Sequence, residues 1–236
     1  QHLHNFAKTI PRLPLEKSFP TVGMVRHFRL HQFENRIYMA QIITEIAIHN
    51  NARRKVRILL PYIKYDAAVL DFGCGDIALA RELKKVRPNL RITGVDVVDF
   101  GIRPKGILFS RYDGKKLPFQ NDSFDVVIAW HVFHHTQDPV AVFAECVRVA
   151  KQRVIFVEPV WRHRLEVPGM MFMDWLFNVW KSRDVSMAFT FRSRAWWEEQ
   201  IIKHNGRLRG VQDVEILPPI FPTGRSLLFV MDKKNA

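Results

Sequence analysis

Two glycines one residue apart, Gly73 and Gly75, stand between Asp71 and Asp76 in a chain of 236 residues. Glycine at this spacing permits a tight turn and lets a ligand lie against the backbone, where a Cβ would obstruct it. Asp96 follows Gly75 by 21 residues, the distance at which a carboxylate is placed to accept hydrogen bonds from a ribose. Downstream come Asp113-Gly114, then His131, His134 and His135, then Glu158 immediately before Pro159. An imidazole with an ordinary pKa can take a proton from a phenol, an enol or an acid. A carboxylate such as Glu158 can orient an acceptor or bond a neighbouring backbone amide. The three histidines show no zinc spacing, and Cys74 is committed to the glycine turn, so no metal site is expected from them.

The elements that must position these residues alternate. Apolar runs predict strands near 67–71, 91–96, 107–110, 124–130 and 153–158. Helical spacing fills 76–86 and 138–150, and Asp138-Pro139 is a good helix start. Such alternation predicts an α/β fold, a parallel sheet with helices on both faces. Ligands then bind at the carboxyl ends of the strands, where the acids and histidines above all fall. A glycine turn of this kind, with Ala78 as a third small residue, suits either a nicotinamide dinucleotide or S-adenosylmethionine. Asp71 favours the second, because a carboxylate repels a pyrophosphate but suits the cationic amino-acid end of S-adenosylmethionine.

Several motifs carry a more specific resemblance: Leu-Asp-Phe-Gly-Cys-Gly (70–75), Gly-Val-Asp (94–96), Asp113-Gly114, Leu-Pro-Phe-Gln-Asn-Asp-Ser-Phe-Asp (117–125) and His-Val-Phe-His-His (131–135). Over about 69–159 the sequence resembles the class I S-adenosylmethionine-dependent methyltransferases, in particular the methyltransferase-11-like group. The resemblance implies a Rossmann-like, seven-stranded, mostly parallel sheet whose last strand is antiparallel, supplied here by strands near 211–217 and 226–231. It implies a cofactor site of Asp71, Gly73, Cys74, Gly75, Asp96, Val97, Asp113, Gly114 and His131, with Asp113 toward the adenine amino group. His134, His135 and Glu158 are then the candidates for the acceptor side. The usual Gly-Gly before the fifth strand is replaced by Lys151-Gln152-Arg153.

The flanks complete the expectation. Residues 1–66 read as an arm with Pro11, Pro14 and Pro20, then amphipathic helices within 22–48 and near 52–60; the resemblance implies that such helices form an N-terminal cap over the cofactor site or pack beside the first strand. Residues 67–236 form the methyltransferase domain, interrupted by a basic, aromatic helical lid at about 161–192 with Met170, Met171, Met173 and Trp175. Hydrophobic residues make up 47% of the chain, enough for a substantial core, and no apolar run reaches the length of a membrane span. Two cysteines and the absence of a signal-peptide pattern lead to an expected cytoplasmic location. The net charge of +13 is concentrated in residues 1–66, with 11 Lys/Arg against 4 Asp/Glu. That flank leaves RNA open as an alternative to a small or lipid-like acceptor, but no RNA-binding module accompanies it.

Overall fold

The computed structural model describes residues 50–178, 188–214 and 224–234. The arm, the helices expected within 22–48, the last part of the lid and the turn between the final strands lie outside the described residues. Among the described residues helix α1 (50–59) comes first and ends before Pro61, where the chain passes through a short turn, Leu60–Tyr62. There follow β1 (Ala68–Phe72), α2 (Ala78–Val86), β2 (Arg91–Asp96), β3 (Ile107–Arg111), β4 (Phe124–Trp130), α3 (Pro139–Val149) and β5 (Ala150–Trp161). Helix α4 (Val167–Asn178), β6 (Arg192–Ser193), α5 (Arg194–Lys203), β7 (Gly206–Asp213) and β8 (Arg225–Lys233) complete the order.

Seven strands run β3-β2-β1-β4-β5-β8-β7, and the two-residue β6 pairs with the end of β5. All neighbours from β3 to β5 are parallel, while β8 lies antiparallel between β5 and β7. The expected sheet is therefore present, with the short β6 as an addition. The first of the two closing strands starts at Gly206, earlier than the 211–217 read from apolar residues alone. Its alternation is poor because much of β7, at the sheet edge, is exposed.

Burial on both faces explains why the central strands read as nearly continuous apolar runs. Along β5 successive side chains go to opposite sides: Val154 and Phe156 join one cluster, Ile155 and Val157 the other. The first cluster takes Phe143 and Cys146 from α3 and Trp197 and Ile201 from α5. The second takes Val56 and Leu59 from α1 and Leu79 and Leu83 from α2. Two helix starts are capped by side chains, the first at the Asp138 expected from the sequence. Asp138 accepts the N–H groups of Val140 and Ala141 at the head of α3, and Ser193 accepts that of Trp196 in α5.

After β3 the chain crosses to the other side of β1 to make β4. This reversal opens a crevice between the carboxyl ends of β1 and β4. The glycine turn leaves β1 there, and the histidine loop leaves β4.

Candidate active site

On the β1 side the turn is built by its glycines and by the neighbouring strand. Gly73 and Gly75 have φ of 68° and 49°. The N–H groups of Gly73 and Cys74 both donate to the Val95 carbonyl, at 2.8 and 3.1 Å. A Cβ on Gly73 would meet Val132 Cγ2 at 2.5 Å, so the turn lies directly against the histidine loop, whereas a Cβ on Gly75 would meet nothing within 4 Å. The open space is thus at the second glycine. Cys74 is buried with its sulfur over Gly94, where a Cβ would come within 2.8 Å. Its thiol pKa is driven up by burial and then by Asp71 and Asp96, so it stays protonated.

Asp96 accepts the Gly75 N–H at 2.8 Å and the Val98 N–H at 3.0 Å, which ties the end of β2 to the glycine turn. Val97 is an exposed apolar residue, and a Cβ on Gly114 would touch it at 3.6 Å. Asp113, next along, is exposed and accepts the N–H groups of Lys115 and Lys116. Those two bonds hold its carboxyl below the usual range.

Asp71 points to the face covered by α1 and is 2% exposed. Burial pushes its pKa up to about 7 against the pull of the Lys55 ammonium, and Asp96 adds to the rise. Asp71 Oδ2 has no hydrogen-bond partner among the described residues. Lys55, on α1, also lies 5.0 Å from the Trp130 ring centroid. Sequence reasoning gave Lys55 no part in the site, since it stands in a run of basic residues that reads as a solvated face. Ile77, in the same turn, adopts φ 61° and ψ 16° and is buried. A β-branched residue in the left-handed region is strained by roughly 1–2 kcal/mol, a load carried by its packing into the core.

On the β4 side the loop is organised by one carboxylate. Glu158 is 1% exposed; its Oε1 accepts the N–H groups of Val132 and Phe133, both at 2.8 Å. Its Oε2 bonds His134 Nδ1 at 2.7 Å. The residue is therefore a positioning group for the whole turn. His134 stacks on Phe191, with centroids 5.1 Å apart and planes 18° apart, and Thr190 donates its N–H to the His134 carbonyl. Asp174, from α4, approaches both remaining ring edges: His134 Nε2 at 3.5 Å and His135 Nδ1 at 3.7 Å. Burial pulls the His134 pKa down, but Glu158 and Asp174 outweigh it, and the value stands at about 9. His131 has φ 56° and its Nε2 lies 3.1 Å from Ser226 Oγ on β8.

The structure thus assembles Gly73, Cys74, Gly75 and Asp96 at one end of the crevice and His131, His134, His135 and Glu158 at the other, with Val132 between them. Asp174 and Phe191 were missed as site residues. The signal available for Asp174 was a lone charge inside the apolar run Met170 to Trp175. Among the tryptophans after β5, Trp197 is fully buried in the core and Trp175 is 45% exposed; Trp180 lies outside the described residues.

Residues 70–157 match the family model described as a methyltransferase domain. Over those residues the chain carries a methyltransferase domain. Among curated proteins, it is 36% identical over 90 residues to a demethylmenaquinone methyltransferase of Thermotoga maritima, covering 36% of this chain and 39% of that protein. It is 32% identical over 105 residues to a sterol 24-C-methyltransferase of Gibberella zeae, covering 40% of this chain and 27% of that protein. The matched stretch thus spans well under half the length of these relatives. A S-adenosylmethionine-dependent methyltransferase structure from Methanosarcina mazei superposes with a TM-score of 0.57 at 17% identity, covering 75% of this chain and 96% of that one; this likeness concerns the fold.

S-adenosylmethionine is the cofactor of the methyltransferase domain, and the residues present fit it. Asp71 has a buried carboxylate oxygen with no hydrogen-bond partner among the described residues, the Gly75 position is open, and the Asp96 carboxylate at the end of β2 is followed by the exposed apolar Val97. No helix among the described residues is long and apolar enough to cross a membrane.

Proposed function

We propose that this chain methylates a small, apolar or lipid-like acceptor. Asp96 and the Gly75 turn would hold the nucleoside, with Val97, Asp113 and Gly114 around the base and Asp71, Cys74 and His131 toward the amino-acid end. When bound, S-adenosylmethionine supplies an electrophilic methyl group on a sulfonium. The protein's task is then to hold the acceptor atom close and in line, and to exclude water. Glu158 positions the loop for that task. His134, protonated at neutral pH, acts as a fixed charge beside His135 on the acceptor side.

The observation that carries the acceptor reading is the composition of α4. Asp174 and Met170 turn inward, while Met171, Phe172, Trp175 and Leu176 form an exposed apolar row along the other side of the same helix. Such a row suits an apolar molecule far better than a phosphate backbone. The names of the curated relatives point the same way, one to a sterol and one to demethylmenaquinone.

The test is to incubate the protein with methyl-labelled cofactor and cell lysate, then separate lipid, water-soluble and RNA fractions. Label is expected in the lipid or apolar small-molecule fraction. Trp175→Ala should reduce that transfer while leaving the unfolding transition in place. Label in RNA, with binding that falls steeply with log salt, would overturn the acceptor assignment.

A further inference from the structure

The gap between the histidine loop and α4 has a composition that methyl transfer by itself does not require. His134, His135 and Asp174 each bring one donor atom to within 4.8 Å of the others. Asp174 Oδ1 lies 3.5 Å from His134 Nε2 and its Oδ2 lies 3.7 Å from His135 Nδ1, both longer than well-formed hydrogen bonds. They are close to the separation between ligands of a tetrahedral ion, roughly 3.4 Å for donor atoms about 2.0–2.1 Å from the metal.

We propose that His134, His135 and Asp174 form a binding site for one divalent transition-metal ion of the zinc class. The proposal deepens the methyltransferase reading, because it places the ion on the acceptor side of the same crevice.

Three features of the surroundings support it. First, the Glu158 carboxylate on His134 Nδ1, at 2.7 Å, fixes the tautomer and leaves Nε2 as the coordinating atom. A carboxylate behind a ligating imidazole orients the ring and raises its basicity. Second, the ring is held from its other side by stacking on Phe191, and Glu158 is itself held by the backbone N–H groups of Val132 and Phe133. The first ligand therefore needs little ordering when an ion arrives. Third, two imidazoles and a carboxylate select zinc, ferrous iron or manganese over magnesium and calcium, which prefer all-oxygen sets. Three protein ligands also leave room for an oxygen of the acceptor.

The ion and the proton on His134 Nε2 are alternative occupants of one gap. The histidine spacing along the chain hides the site, because its third ligand comes from α4 and meets the loop only in the folded protein.

Untagged protein, stripped with a chelator and dialysed, should be titrated calorimetrically with zinc, manganese and magnesium salts. Affinity for S-adenosylmethionine should be measured on the same samples. One equivalent of zinc is expected. Asp174→Asn and His135→Gln should each weaken zinc binding by roughly tenfold or more, with the unfolding transition retained. Stoichiometric uptake unchanged in both variants would place the ion on others of the chain's ten histidines and overturn the proposal. So would the absence of stoichiometric uptake, or uptake of magnesium in preference to zinc. Zinc binding that depends on these residues in a protein with no affinity for S-adenosylmethionine would uphold the metal site and break the methyltransferase reading instead.

Discussion

The two ends of the crevice are built by different means. At the β1 end, Gly73, Cys74, Gly75 and the acids Asp71 and Asp76 lie within six consecutive residues, and Asp96 joins them across a single neighbouring strand. At the β4 end, Glu158, Asp174, Thr190, Phe191 and Ser226 converge on three histidines from four places in the chain. The first site is a local motif that a strand and a turn fold by geometry. The second is a long-range assembly whose parts have no reason to meet until the sheet, α4 and β8 are in place. On the proposed reading the cofactor would rest on the local construction and the acceptor on the assembled one, where sequence change in a lid alters the pocket without disturbing the glycine turn.

The largest expected effect is at the assembled end. Glu158→Ala leaves buried N–H groups and the His134 ring edge without their acceptor, which should lower unfolding stability by about 3–5 kcal/mol. Urea denaturation measures this, and a loss below about 1 kcal/mol would show that the loop holds its shape without a carboxylate.

The two ends touch at Gly73 and Val132, which allows the comparison to be broken directly. Gly73→Ala combines left-handed strain with an overlap on Val132, and should cost about 2–4 kcal/mol. Adding Val132→Ala removes the overlap and leaves the strain, so the double variant should be more stable than the sum of the single effects predicts. Strict additivity in a double-mutant cycle would mean that turn and loop are energetically independent.

At the local end, Asp96→Ala should weaken cofactor binding by about 1.5–3 kcal/mol, the loss expected for charge-assisted hydrogen bonds. Calorimetry with S-adenosylmethionine or its demethylated product reads this. An affinity within about twofold of the wild type, roughly 0.4 kcal/mol, would remove the ribose assignment.

The smallest effect is a pH dependence at Asp71. Its pKa in the folded protein, about 7, is raised above the ordinary carboxylate value. Between the ordinary value and about 7 the folded protein keeps a proton that the unfolded chain has released. Stability therefore falls as pH rises through that window, and the penalty is fully present above it. Cofactor affinity should move the other way, since only the ionised carboxylate attracts a cation. From pH 6 to pH 8 it should rise about tenfold, or roughly 1.4 kcal/mol. Asp71→Asn should flatten the profile; an equally steep profile in that variant would assign the titration to another group.

The sequence by itself was enough for the class of fold, for the order of β1 to β5 and for the glycine turn with its two acids. Those features are encoded in short stretches, where apolar runs, turn glycines and one strand-to-strand spacing leave the backbone few choices. It placed α1, α2 and α3 within a few residues, because their apolar periodicity and caps are local too. It did not place the start of β7, which lies at an exposed edge and lacks the apolar alternation that marks a half-buried strand. Nor could it separate Trp197, packed in the core by α5, from Trp175, left at the surface by α4: the two look alike in composition and differ only in which side of a helix meets the sheet. Tertiary structure alone decided that Glu158 takes the backbone amides of the histidine loop, that Lys55 stands near Asp71, and that Asp174 meets His134 and His135. Each of these depends on contacts between elements far apart in the chain, and the energy that selects them appears only when both faces of the sheet are covered.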